Sequence, residues 1–311
     1  MNIILAPMEG VIDFALREIL TLSGSYDRAV TEFIRINDQL LPRSVFFRYC
    51  PELANDGRTK SGTPVYIQLL GQHPDWMAEN ANRAVDIGAP GIDINFGCPA
   101  KTVNRHKGGS ILLNEPDLVH DIVFAVRKAV PGHIPVTVKM RLGYEDKSLA
   151  IENALAIEAA GATNLAVHAR TKIEGYKPPA HWHWIAKIAK HVKIPLIANG
   201  DIWSKHDAAD CIEQSGCEHI MIGRGGLSLP NIADVIKNNA VPASWSDVCD
   251  TLILYSQYKR DNTKQNFLPN RIKQWFSYLK REYPEAAILF QHIKTLRELD
   301  EIVAIINRKY L

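Results

Sequence analysis

The chain is poor in the features that mark a secreted, metal-bound or membrane-spanning protein. Its 311 residues include five cysteines, at 50, 98, 211, 217 and 249. The odd number and the lack of a Cys-x-x-Cys pair argue against a disulfide framework or a zinc knuckle, and no metal is expected. No run approaches the roughly 18 apolar residues that would suggest a membrane span, and the opening Met-Asn-Ile-Ile-Leu-Ala-Pro has no basic leader. These absences predict a soluble, unexported protein of the reducing cytoplasm with no membrane partner. Net charge is also small: 36 Lys and Arg face 34 Asp and Glu. Attraction to a polyanion must therefore come from uneven distribution, and DNA is not an expected partner. What is present is a 46% hydrophobic composition. That is enough for one large core, either an α/β barrel with an appendage or two domains.

One phrase recurs eight times: a short β-branched strand, a polar or glycine break, then an amphipathic helical stretch. The strands are expected at 3–6, 28–31, 64–69, 91–95, 135–139, 164–168, 195–199 and 219–222. Helices are expected over Trp76 to Ile87 and Leu118 to Val130, among others, each opened by an acidic or proline signal and closed by Gly88 or Pro131-Gly132. The second phrase is the weakest, because a long polar loop, 51–62, follows it. Eight parallel strands alternating with helices favour a closed (β/α)8 barrel, a TIM barrel, over an open doubly wound sheet.

Polar residues cluster where the strands end. They are Pro7-Met8-Glu9, Glu32 and Arg35, Gln68, Asn95 with Cys98, Lys139 and Arg141, His168 and Arg170, Asn199-Gly200-Asp201, and Gly223-Arg224-Gly225-Gly226. In a barrel these ends converge on one face, where active sites are built. Gly223 to Gly226 would open a helix and offer free backbone N–H groups to an anion, although the same run can be a plain tight turn. Lys139 and His168 could set a cation and an imidazole over a bound ring. Cys98, after a strand and a glycine break and before a proline, is a candidate acid, though a free cysteine is as often a small buried hydrophobe. With an ordinary pKa near 8.5, roughly 97% of such a thiol is protonated at neutral pH.

After residue 241 the strand pattern stops, dividing the chain into a barrel, 1–241, and an all-helical domain, 242–311. The helical part carries net +3 and the barrel −1; between Lys259 and Arg281 seven basic residues face one acidic residue, Asp261. Ile272, Trp275, Phe276 and Leu279 follow helical spacing and should pack inward, with Arg271, Lys273, Lys280 and Arg281 flanking them. A basic helix edge with Tyr278 available suits an RNA backbone, while a merely solvated face is the common alternative. The Arg105-His106-Lys107 loop reads as a mobile segment able to close over the mouth. Arg35, Arg141, Arg170 and Tyr176 are further candidates at the mouth.

Seven motifs, Ala-Pro-Met-Glu-Gly (6–10), Gln-Leu-Leu-Gly (68–71), Asn-Phe-Gly-Cys-Pro (95–99), Val-Lys-Met-Arg-Leu-Gly (138–143), His-Ala-Arg-Thr (168–171), Asn-Gly-Asp-Ile (199–202) and Ile-Gly-Arg-Gly (222–225), resemble those of the bacterial tRNA-dihydrouridine synthases. Residues 31–35 and 271–279 are most similar to the C subfamily, which acts on the uridine at tRNA position 16. The resemblance implies an FMN-bound barrel that uses NADPH to saturate the C5–C6 bond of uracil in tRNA. Pro7, Met8, Glu9, Gln68, Lys139, Asn199, Gly200, Asp201, Gly223 and Arg224 match flavin-contacting positions. His168 is expected beside flavin and base, Cys98 matches the proton donor and Asn95 a base contact, and Lys294 matches a position that orients tRNA.

The chemistry of these residue types agrees. Hydride delivery to C6 of an enone-like uracil leaves negative charge at C5 and O4 that needs a proton, and a thiol suits that task. Lys139 could offset charge on a reduced flavin. Two rivals stand beside this reading. A reductase of a free pyrimidine, like the dihydroorotate dehydrogenases, leaves the basic helices without work. A non-enzymatic RNA-binding protein leaves Cys98, Lys139 and His168 without work. A monomer is expected.

Overall fold

In the computed structural model, which describes residues 1–22, 25–258 and 267–308, the strands alternate side chains that face the surrounding helices with side chains that face the barrel axis. They are β1 (Ile3–Leu5), β2 (Arg28–Val30), β3 (Ile34–Arg35), β4 (Val65–Leu70), β5 (Ile92–Phe96), β6 (Val136–Arg141), β7 (Asn164–His168), β8 (Leu196–Asn199) and β9 (His219–Ile222). All pair in parallel in the order β2-β1-β9-β8-β7-β6-β5-β4, and β2 also pairs with β4, so the sheet closes on itself. The expected eight-stranded barrel is present.

Period-2 alternation explains what lies on each side. Val65, Ile67 and Leu69 of β4, Ile92, Ile94 and Phe96 of β5, and Val136, Val138 and Met140 of β6 join the large core shared with the surrounding helices. The intervening residues face the barrel axis. Ile4, Ala6, Val30, Ala166, Ile197 and Met221 form a separate small apolar cluster there. Gln68, Asn95, Lys139, Arg141, His168 and Asn199 continue that inward series at the strand C-termini.

The second phrase differs from the single expected strand. Val30 pairs with Tyr66, and Ile34 pairs with Leu69. Four steps on one strand thus oppose three on the other, and the extra residue breaks the ladder into β2 and β3 in the manner of a bulge. The break places Glu32 against the first loop, where its Oε1 accepts a bond from the Gly10 N–H at 2.6 Å. Other boundaries moved by one or two residues: the expected helices at 76–87 and 118–130 run over Pro74–Asp86 and Pro116–Ala129. Each begins on its proline, whose missing N–H costs nothing at a first helical position.

Beyond β9, the described residues contain no strand. Short helices Arg224–Ser228 and Ile232–Asn238 are followed by Trp245–Ser256, Phe267–Leu279, Pro284–Ile293 and Leu299–Asn307. A reciprocal cap between Ser244 and Asp247 starts Trp245–Ser256. Ile272, Trp275, Phe276 and Leu279 are all buried, and Trp275 Nε1 donates to Leu227 O at 2.9 Å. The helical part is therefore packed onto the end of the barrel that carries Arg224–Ser228. Lys259, Arg260, Asp261, Lys264 and Lys309, which enter the charge count, lie outside the described residues.

Candidate active site

A cavity of about 670 Å³ opens at the C-terminal ends of the strands. Every residue expected to touch a cofactor lines it: Pro7, Met8 and Glu9 after β1, Gln68, Lys139, His168, Asn199-Gly200-Asp201 after β8, and Gly223-Arg224 after β9. Cys98, Asn95, Arg141, Tyr176 and Tyr278 line it as well. The barrel closes these distant sequence segments into one chamber because each follows a strand of the same direction.

Cys98 sits in a loop held from two sides. Asn95 Oδ1 accepts from the N–H groups of Gly97 (2.8 Å) and Cys98 (2.9 Å), and its Nδ2 donates to Gln68 Oε1 at 2.7 Å. Asn95 thus shapes the loop, and only its second Nδ2 hydrogen is left for a base, a narrower role than expected from sequence. On the other side, the Cys98 carbonyl accepts from Asn104 Nδ2 (3.0 Å) and Ser110 Oγ (2.9 Å). Gly109, at φ +67°, packs so closely that a Cβ there would lie 2.9 Å from Cys98 Cβ. Asn104 Nδ2 also donates to Gly108 O at 2.8 Å. The two ends of the 105–107 loop are therefore tied to each other and to the Cys98 loop. Burial pushes the Cys98 thiol above its ordinary pKa, so it keeps its proton at neutral pH.

Across the cavity, Lys139 Nζ donates to Asn199 Oδ1 at 3.1 Å, and Asn199 Nδ2 to Met221 O at 2.8 Å. Burial, with Arg141 nearby, lowers the Lys139 pKa to about 8. His168 is pushed well below 6.5 by burial and then by Arg141, Lys139, Arg170 and Arg224. It is a neutral imidazole at pH 7, able to donate or accept a hydrogen bond but not to add charge.

At the β9 end, Asp201, at φ +51°, pairs with both Arg170 and Arg224, the latter at 3.2 Å. The Arg224 guanidinium also lies over Tyr176 (4.8 Å) and Trp203 (4.9 Å). The glycines beside it have a packing reason the sequence did not reveal. A Cβ on Gly225 would come within 2.0 Å of Ile202 O, so the tight approach of the β8 and β9 loops requires glycine there.

Several of the expected substrate residues make contacts inside the chain. Arg141, 2% exposed, donates to Gly97 O, Thr171 O and Gly175 O, at 2.9, 3.0 and 2.9 Å, and so ties the loops after β5 and β7 to the end of β6. Arg170 is fully buried behind the rim. Arg35 lines a second cavity with His73, His106 and Lys107. Arg271 donates to Gly10 O and Val11 O and pairs with Asp13 at 3.3 Å. Lys273 Nζ donates to Leu296 O at 2.5 Å, and Lys294 Nζ to Gln291 Oε1 at 2.6 Å. Any phosphate contact by Arg271 or Lys273 is thus additional to contacts inside the chain. Half-exposed Tyr176 lies at the cavity, and so does Tyr278, which the sequence placed on a basic helix edge.

Sequence reasoning missed Phe33, Trp203 and Asp93. Phe33 packs with Cys98, Leu70 and Val103, and Trp203 carries Arg281 at 4.1 Å on its ring as well as Arg224. Asp93 is a carboxylate 1% exposed, and its signal was available: it alternates in phase with Asn95 inside an apolar strand.

The chamber fits a planar conjugated ring with an anionic tail. Ala6, Met8 and Met221 give apolar wall, Gln68, Lys139 and Asn199 give polar groups for a ring edge, and Arg224 gives the cation for a tail. Among solved structures, a variant of NCR from Zymomonas mobilis shares the fold at TM-score 0.56 and 17% identity, covering 83% of this chain and 94% of that one. Morphinone reductase in complex with tetrahydroNAD does so at 0.56 and 14%, covering 84% and 94%. Much greater similarity links the chain to three proteins named tRNA-dihydrouridine(16) synthase. That of Shewanella oneidensis is 55% identical, over 99% of this chain and 98% of its own length. That of Vibrio parahaemolyticus is 51% identical, over 99% and 96%, and that of Escherichia coli K12 48%, over 99% and 98%. The family model described as dihydrouridine synthase matches residues 4–306, and the chain belongs to the dihydrouridine synthase family.

Proposed function

We propose that this protein reduces the C5–C6 bond of uridine 16 in tRNA, with NADPH as electron donor and FMN as the bound cofactor. The observation that carries the reading is the meeting of an un-ionised thiol, Cys98, with the Lys139 cation and neutral His168 in one chamber at the strand C-termini. Near-full-length similarity to proteins named for position 16 supports the choice of nucleotide. Reduced FMN, when bound, supplies the hydride that goes to C6. The residues of the chain do the rest. Arg224 and the Gly223 backbone hold the phosphate tail, and Lys139 and Asn199 face the polar edge of the ring. His168 offers a neutral hydrogen bond to ring or base. Cys98 gives the S–H proton to C5, leaving a thiolate that regains its proton from water. The raised thiol pKa suits this role, since the proton is present before the hydride arrives.

A uridine must leave the tRNA loop to reach the chamber. Tyr278, from the helix Phe267–Leu279, lines the cavity, so the helical domain, 242–311, has work at the site that a free pyrimidine would not need. The proposal takes the protein to act as a monomer, and the substrate implies the cytoplasm. The test is reoxidation of the NADPH-reduced protein by tRNA, by uracil and by orotate. Reoxidation by tRNA alone supports the proposal, and equal rates with orotate contradict it.

A further inference from the structure

We propose that Asp93, which does not line the cavity, is a positioning residue that fixes the Cys98 loop through a one-way chain of hydrogen bonds running Asp93, Gln68, Asn95, then the backbone of Gly97 and Cys98. Register makes the row possible. Gln68 on β4, Asp93 on β5 and Thr137 on β6 are direct Cα partners, and all face the barrel axis. Thr137 Oγ1 lies 2.5 Å from Asp93 Oδ1, Gln68 Nε2 donates to Asp93 Oδ2 at 2.7 Å, and Asn95 Nδ2 donates to Gln68 Oε1 at 2.7 Å. Asn95 Oδ1 then receives the two loop N–H groups at 2.8 and 2.9 Å.

The direction of the chain follows from donor and acceptor chemistry. A carboxylate oxygen only accepts, so Gln68 must turn its NH₂ toward Asp93 and its carbonyl toward Asn95. Asn95 must then turn its NH₂ toward Gln68, which leaves its carbonyl for the loop. Reversing either amide would set NH₂ against NH, or carbonyl oxygen against oxygen, in a site where Gln68 and Asn95 are 0% and 7% exposed and such a fault is costly. Protonation of Asp93 does not undo the arrangement. Its Oδ1–H would donate to Thr137 Oγ1, whose own hydrogen reaches Ile92 O at 3.3 Å, and Oδ2 would still accept from Gln68.

The effect on catalysis rests on Cys98 as proton donor, whereas the effect on loop position does not. The experiment therefore reads both, on the flavin-loaded protein. Iodoacetamide alkylation of Cys98 is followed by mass spectrometry, with the buried Cys50, Cys211, Cys217 and Cys249 as internal controls, beside tRNA-dependent reoxidation. In Asp93→Ala, weakening one or two hydrogen bonds should raise Cys98 alkylation about five- to thirty-fold with the controls unchanged, and slow reoxidation. Asp93→Asn should behave like wild type, since its carbonyl can face Gln68 and its NH₂ Thr137. Wild-type alkylation in Asp93→Ala overturns the proposal, as does an Asp93→Asn variant equally impaired. If Asp93→Ala does not fold, Asp93→Ser, too short to bridge Thr137 and Gln68, is read in the same way. Raised alkylation in Asp93→Ala, with normal reoxidation there and in Cys98→Ala, would leave the positioning chain standing and remove Cys98 as the donor.

Discussion

Arg170 Nη1 lies 3.4 Å from His168 Nε2, and because a guanidinium can only donate, that ring nitrogen is the acceptor and Nδ1 carries the imidazole proton. Burial and the surrounding cations keep the ring neutral. Long-range proton–nitrogen spectra should show the Nδ1–H tautomer and no titration of His168 between pH 6 and 8. Arg170→Gln removes one of those cations, so the pKa should rise. A wild-type titration near pH 6.5 would contradict both statements.

Cys98→Ala should separate the half-reactions. In the proposed reaction, reduction of the flavin by NADPH precedes uracil protonation, so it should proceed at a near-normal rate. Reoxidation by tRNA should slow by about 10²- to 10⁴-fold, the usual cost of losing a general acid. Rapid mixing of each half-reaction gives the answer, and equal reoxidation in variant and wild type would reduce Cys98 to a structural thiol.

Lys139 makes stability depend on pH in the flavin-free protein. Its pKa falls from 10.5 to about 8 on folding, so between these values the unfolded chain binds the extra proton and the folded one does not. Its contribution to stability therefore rises with pH across that window and is lowest below about pH 8, where a charge stays buried. Denaturant unfolding of Lys139→Met should show the variant gaining on wild type at pH 7 and losing that advantage by about pH 10. A difference independent of pH would mean that Lys139 keeps its ordinary pKa.

Arg271 joins the helical domain to the first barrel loop through Gly10, Val11 and Asp13. Arg271→Ala leaves Asp13, itself 1% exposed, without that partner and should cost about 1.5 to 3 kcal/mol in chemical denaturation. If the residue also meets tRNA phosphate, the slope of log affinity against log salt should fall by about 0.7 to 0.9 for each phosphate it neutralises. Lower stability with an unchanged salt slope would assign Arg271 to docking alone.

The barrel was legible because its strands are short β-branched runs ending in polar residues, and Gln68, Cys98, Lys139, His168 and Arg224 could be named from that repeat and from the family motifs. The second strand was blurred because a bulge between Val30 and Ile34 breaks its alternation. The partners of Arg141, Arg170 and Arg271 inside the chain were not legible for a different reason. A basic residue near a strand or helix end looks the same in sequence whether it faces a phosphate or a neighbouring carbonyl, and only the fold brings Gly97, Asp201 or Gly10 to it. Asp93 was passed over because its partners come from β4 and β6, far away in the chain. The Gly225 approach to Ile202 likewise depends on two loops meeting.

That this chamber reduces one particular uridine is tested most directly by mapping dihydrouridine across tRNA treated with the purified protein and NADPH. The substrate is tRNA from a strain lacking the protein. Dihydrouridine is expected at position 16 with wild type, and none with Cys98→Ala under the same conditions. Modification at another position, or at 16 with both proteins alike, would contradict the proposed function.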